Sequence, residues 1–216
     1  MSYASERPGS AGEHLLQDKY GTQARAEKFY DEQALTYLNE QMREFVGEQE
    51  MMFVATSDAY GECDCTFRAG SPGFVRVLDE RTLVYPEYRG NGVMASLGNV
   101  FENAQVGLLF VDFFTYRIGL HVNGSAQIVE SDDMRRANPE LFEAGDDTAA
   151  ERWVAVSVHE AYIHCSKRIP LLAKPDPERD GANGVKRNGG DFFGVKAARE
   201  SESTREHVVN AHATTS

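Results

Sequence analysis

The first fifty residues space their apolar positions as a helix does, and from Met51 onward the spacing shortens to every second residue. Residues 1–9 read as a disordered lead-in. Ser10 and Glu13 then make a capping-box pair that starts a helix. Leu35, Leu38, Met42, Phe45 and Val46 fall on one face of a stronger helix, with Asn39, Glu40, Arg43 and Glu44 opposite. Met51–Thr56 is a short apolar run, and Ser57–Gly61 carries turn chemistry. Glu62–Phe67 alternates, with Cys63, Cys65 and Phe67 opposite Glu62, Asp64 and Thr66, which predicts a half-buried strand. Phe74–Leu78 and Leu83–Pro86 form a hairpin around residues 79–82.

Val93–Asn103 reads as a helix with Val93, Leu97, Val100 and Phe101 on one side, and Val106–Phe113 as a strand. Ile118–Val129 alternates most clearly. Ile118, Leu120, Val122, Gly124, Ala126 and Ile128 share one face, and Gly119, His121, Asn123, Ser125 and Gln127 the other. Gly124 marks a bulge or bend in that strand. Residues 131–150 read as short helix and loop. Arg152–Val158 is the last core strand, continuing or bending through His159–Cys165. Residues 200–216 read as disordered.

The sum is about six strands, mostly antiparallel by loop length, with helices before and between them. That predicts a mainly β fold with flanking α, a barrel or sandwich. A Rossmann fold needs regular β–α–β alternation and a glycine fingerprint after the first strand, and neither is present. The expected organisation is a helical extension over 1–50, the β domain over 51–172 and a polar tail over 173–216.

Composition narrows the function. The 216 residues carry a net charge of −12 with a pI near 5.0. A field of that sign repels nucleic-acid phosphates and anionic membranes, so neither is an expected partner. Three cysteines do not describe a disulfide framework. No apolar run reaches the roughly 18 residues of a membrane span, and Met1–Gly12 lacks a signal-peptide core. The expected setting is the cytoplasm.

Two segments carry candidate chemistry. Tyr85-Pro86-Glu87-Tyr88-Arg89-Gly90-Asn91-Gly92 joins a strand to a helix. Glycines let backbone N–H groups approach a ligand, the helix N-terminus favours an anion, and Arg89 adds a permanent cation. Ser96 and Asn99 can add hydrogen bonds. On loop chemistry alone, a phosphate cradle and an ordinary surface turn are equally open. The second segment ends at Arg68, which by itself reads first as a salt bridge and second as an anion ligand. Cys63 and Cys65 read as buried small residues, since no second Cys/His pair stands at zinc spacing. His159 and His164 read as hydrogen-bonded structural histidines, Trp153 as core or dimer packing, and Phe113-Phe114 as core. The acidic run Glu143–Asp147 reads as a solvated loop, and no metal site is expected.

The stretch from Met52 to Val129 resembles the pyridoxamine 5'-phosphate oxidase-like family of FMN-binding split barrels. The resemblance lies in residues 63–75, 85–99 and 103–110, with Asn123-Gly124-Ser125-Ala126 and Ile163-His164-Cys165-Ser166-Lys167 fitting later elements. It implies a six-stranded antiparallel split β-barrel that works as a homodimer with FMN at the interface. Arg68 and Arg89 would hold the phosphate, supported by Gly90, Asn91, Ser96 and Asn99. Backbone at Ala69 and Tyr85 would meet the ring edge, and Tyr88 would flank the cofactor. Partner-chain residues around Arg117–His121 would close the site, and His164 and Lys167 would approach the flavin or its phosphate. The arginine- and histidine-bearing C-terminal segment of the true vitamin B6 oxidases is missing, so that reaction is not expected. The resemblance is to FMN-dependent enzymes of undefined substrate. It implies hydride transfer between flavin and a small organic substrate, with no catalytic residue assigned. The alternatives are a non-catalytic flavin-binding or storage protein, and a reductase using the deazaflavin cofactor F420.

Overall fold

A computed structural model describes residues 8–142 and 150–174, together with 193, 195–196 and 198–199. Two compact units divide the chain, Met1–Ala173 and Lys174–Ser216. In the second unit residues 195–196 and 198–199 are helical. The acidic run Glu143–Asp147 and residues 200–216 lie outside the described residues.

The first unit opens with α1 (Ala11–Tyr20) and α2 (Gln23–Gln33). Ser10 caps α1 as its sequence predicts: its side chain accepts from the Glu13 N–H while the Glu13 carboxylate accepts from the Ser10 N–H. The helix predicted from Leu35 starts later, as α3 (Glu40–Glu48). Asn39 sets that start by accepting the Met42 N–H at 2.9 Å. Leu35 instead lies in a two-residue strand, β1 (Ala34–Leu35).

Seven longer strands follow: β2 (Met51–Ser57), β3 (Cys63–Ala69), β4 (Arg76–Asp79), β5 (Thr82–Tyr88), β6 (Gln105–Asp112), β7 (Ile118–Glu130) and β8 (Ala150–His164). The fold is therefore mainly β and antiparallel, as predicted, with eight strands rather than six. The strand that spacing did not predict is β1, two residues long, which pairs with Tyr162 and Ala161 of β8. The sheet runs β3-β2-β6-β7-β8-β5-β4, with β1 beside β8. Two helices interrupt it, α4 (Ala95–Glu102) after β5 and α5 (Ser131–Ala137) after β7. Between β6 and β7 the Asp112 carboxylate accepts backbone N–H bonds from Phe114, Thr115 and Tyr116. Partial burial raises the Asp112 pKa, but those three donors outweigh it and hold the group below its ordinary value.

Alternation sends Met52, Val54, Leu108, Phe110, Leu120, Val122, Val154 and Val156 to one face, where they form the main core with Leu38 and Val46. A second cluster on the opposite face of β5 and β8 gathers Val84, Met134, Ala150 and Trp153 beneath α5. Trp153 is fully buried there, within the core reading its sequence supports. In α4, Leu97 and Val100 are buried, but Val93 and Phe101 stay 73% and 86% exposed, against the single apolar face predicted. The helix begins two residues after Val93, which rotates that residue out of register. Phe113 and Phe114 are only half-buried.

Two positions correct the reading of β3. Cys63 and Cys65 are exposed free thiols, not buried ones. The less exposed face of β3 is the polar one, Asp64, Thr66 and Arg68. No helix among the described residues is long and apolar enough to cross a membrane.

The register between β7 and β8 shifts at Asn123/Gly124, where the sequence places its bend. A Cβ on Gly124 would run into the Ser157 carbonyl of β8. Gly124→Ala is therefore expected to cost about 1–3 kcal/mol of stability, the usual toll of overpacking. An unchanged midpoint in urea denaturation would show that the two strands tolerate the methyl group.

Candidate functional site

β3 and β5 are separated by four strands in the sheet order, yet their side chains touch. Arg68 Nη2 lies 2.7 Å and Nε 2.9 Å from Glu87 Oε1. Nη1 donates to Thr66 Oγ1 at 2.8 Å and to the Phe67 carbonyl at 3.2 Å. Contact between strands so far apart in order requires the sheet to curl into a barrel that stays open between them. Ser96, at the start of α4, spans the same gap by donating to Asp64 at 3.2 Å.

The gap opens into a cavity of about 770 Å³. Its floor is the polar face of β3 (Asp64, Thr66 and Arg68), with Glu87 from β5 and Arg152 from β8. Its roof is the loop Tyr88–Met94 and the first turn of α4. The loop's shape follows from its residues. Gly92 takes φ +84°, and Asn91 accepts the Val93 N–H at 2.9 Å. Met94 takes a left-handed φ of 57°, which an L side chain seldom adopts, and leaves α4 without a side-chain cap. The open N–H groups of that first turn sit at the cavity wall, where an anion is favoured.

Of the nine residues singled out in the sequence, Arg68, Tyr88, Arg89, Gly90, Asn91 and Ser96 line this cavity together. Tyr85 is 2% exposed, within the main core. Burial, with a smaller push from Glu87, raises its phenol pKa well above the ordinary value. Asn99 donates to the buried Thr56 hydroxyl at 3.0 Å and so pins α4 to β2. Ala69 ends β3 opposite Met51. Asp64, Thr66, Glu87 and Arg152 were not singled out. Their one signal is polar side chains in the inward register of strands whose neighbouring positions, such as Tyr85 and Val154, are core.

The sequence profile of the pyridoxamine 5'-phosphate oxidase family matches residues 38–165, more than half of the chain, and takes in every element that builds the cavity. The chain belongs to the pyridoxamine 5'-phosphate oxidase family. Its split barrel is the fold of that family. No curated protein matches the chain. Among solved structures, HupZ from Group A Streptococcus is 19% identical with a TM-score of 0.47, over 62% of this chain and 98% of that one. A candidate pyridoxamine 5'-phosphate oxidase from Lactobacillus delbrueckii is 22% identical with a TM-score of 0.45, over 60% and 98%. HutZ, the heme storage protein from Vibrio cholerae, is 17% identical with a TM-score of 0.41, over 59% and 93%.

Histidines of this family member gather on the outward face of the barrel. His121 Nε2 lies 2.9 Å from His164 Nδ1, and Tyr162 stacks on His121 at 4.7 Å. His159 lies 3.2 Å from the Ser125 hydroxyl. Both sequence-flagged histidines are thus hydrogen-bonded, as expected. Among the described residues, no group of three or more His, Cys, Asp or Glu side chains gathers as a metal site.

Burial first, and the neighbouring His164 second, lower the His121 pKa below its ordinary value of 6.5. The folded state then binds fewer protons than the unfolded chain, so its contribution is complete above that value and is lost as pH falls toward the folded pKa. Stability should therefore decline from pH 7 to pH 5 more steeply in the native protein than in His121→Asn. Parallel pH profiles of the urea midpoint would remove His121 as the cause.

Proposed function

We propose that the protein binds FMN in the cavity between β3 and β5 and uses it as an oxidoreductase on a small organic substrate. The observation that carries this reading is the pairing of an uncapped helix N-terminus with the Arg89 side chain, which has no partner among the described residues. That pairing suits a phosphomonoester. The volume suits a cofactor of this size, since small-molecule sites run to about 300–1,000 Å³. Beside the cationic end, Tyr88, Val93 and Met94 are 44%, 73% and 52% exposed at the cavity wall. They offer apolar surface to a flat ring. When bound, the flavin supplies two-electron chemistry, and the chain's own residues bind and orient it.

Flavin storage without turnover is the second reading. It draws on the engagement of every carboxylate lining the cavity: Asp64 with Ser96, Glu87 with Arg68, Glu151 with Arg152. A general acid or base would have to come from elsewhere.

We further propose a homodimer. Backbone register aligns Phe67, Phe53, Leu109, His121 and Tyr162 in one row across β3, β2, β6, β7 and β8. The row faces away from the core, and Phe67 is 50% exposed although it packs edge-on against Phe53 at 5.5 Å. A second copy would cover that apolar row, which charge or polarity would otherwise occupy.

Purified protein should show a flavin absorption spectrum and release FMN by mass. Arg89→Ala should weaken FMN binding at least tenfold without changing the fold. A colourless protein that ignores added FMN would remove this reading, and turnover driven by reduced F420 would replace the cofactor. Sedimentation at micromolar concentration should give a dimer, and Phe67→Glu should shift it toward monomer. Flavin-loaded native protein sedimenting as a monomer would end the dimer proposal.

A further inference from the structure

We infer that the hydrogen-bonded pair His121–His164 makes self-association of this chain pH-dependent: two copies meet through the outward row while both imidazoles are neutral, and part when the pair takes up protons. The inference rests on the dimer proposed above and adds its regulation.

The fold brings the pair together. His121 sits in the apolar row, between Leu109 on β6 and Tyr162 on β8. His164 lies two residues beyond Tyr162 and so shares its face of the sheet. Its cross-strand partner is Gly119, where a Cβ would come within 2.9 Å of the His164 Cβ. Without that Cβ the His164 ring leans over to His121. The ring centroids are 5.1 Å apart and the facing nitrogens 2.9 Å, so one imidazole donates and the other accepts.

Protons undo this arrangement in two steps. A first proton charges the pair and can leave its hydrogen bond in place. A second puts N–H donors on both facing nitrogens and two like charges beside each other. No carboxylate bonds either ring among the described residues. Glu160, the next outward residue of β8 beyond Tyr162, is held by Asn123 at 3.1 Å, and Glu32 of α2 pairs with Lys28. β6 faces the pair with Leu109 and Val111, and α2 sets Phe29 edge-on against Tyr162 at 5.8 Å. Arg117 precedes β7, while Lys167 and Arg168 follow β8, and as cations they add to the cost of a charge on the pair. In a single copy the half-buried His121 can still be hydrated when charged. A second copy laid over Phe67, Phe53 and Leu109 would remove that water, so the charged form is costlier in the dimer. Association then releases protons, and it weakens as pH falls below the ordinary imidazole value of 6.5.

The test is sedimentation velocity of the full-length native chain at pH 7.5 and pH 5.5 and one ionic strength, with far-UV circular dichroism to show that it stays folded. The dimer dissociation constant should rise at least tenfold at pH 5.5. The double variant His121→Gln with His164→Asn keeps polar atoms near the lost ring nitrogens and does not titrate there. Its constant should stay within threefold between the two pH values, while His159→Asn should respond as the native chain does. A native dimer of equal strength at both pH values overturns the switch and leaves the dimer standing. A native monomer at pH 7.5 ends both. A double variant that responds as the native chain does, a response lost with His159→Asn, or dissociation that accompanies unfolding also overturns the switch. Should the double variant be monomeric at pH 7.5, the native chain decides by NMR. The imidazole titration midpoint must move to lower pH as concentration drives association, and a midpoint independent of concentration overturns the inference.

Discussion

The ion pair between Arg68 and Glu87 joins the two sides of the barrel where no backbone hydrogen bond does. A curled sheet that stops short of closure leaves two strands facing each other across polar walls. Something must hold them at a set distance. Here a fork of donors on β3 meets one carboxylate on β5, and Thr66 holds the other end of the fork. Removing one partner of such a buried pair costs about 3–5 kcal/mol in general, because the remaining charge is stranded. The cavity, the roof loop and the start of α4 all take their positions relative to this contact.

The same strand shows why the site and the outer face belong together. β3 turns its polar residues inward and its apolar ones outward. Such an inversion costs burial of Phe67 in the core. It is offset inside by the pairing of Arg68 with Glu87 and of Asp64 with Ser96, and outside by the edge contact of Phe67 with Phe53. Both proposals, the cofactor inside and the second copy outside, follow from one reversed alternation. The exposed thiols of Cys63 and Cys65 are a by-product of it, since they share the Phe67 side of the strand.

Much of the fold was legible from spacing alone. The alternation of Ile118–Val129 predicted the central strand, and Gly124 predicted the break in its register, because a side chain there would strike Ser157. The capping residues of α1 acted locally, so Ser10 and Glu13 could be read directly. The strand-to-helix loop with Arg89 and the polar start of α4 were also legible, and both line the cavity. What stayed hidden was direction. An alternating strand states that two faces differ, and only the sheet's curl decides which face turns in. Glu87 and Arg152 became site residues for the same reason: burial and pairing across the barrel are set by contacts between distant segments, which local spacing does not encode.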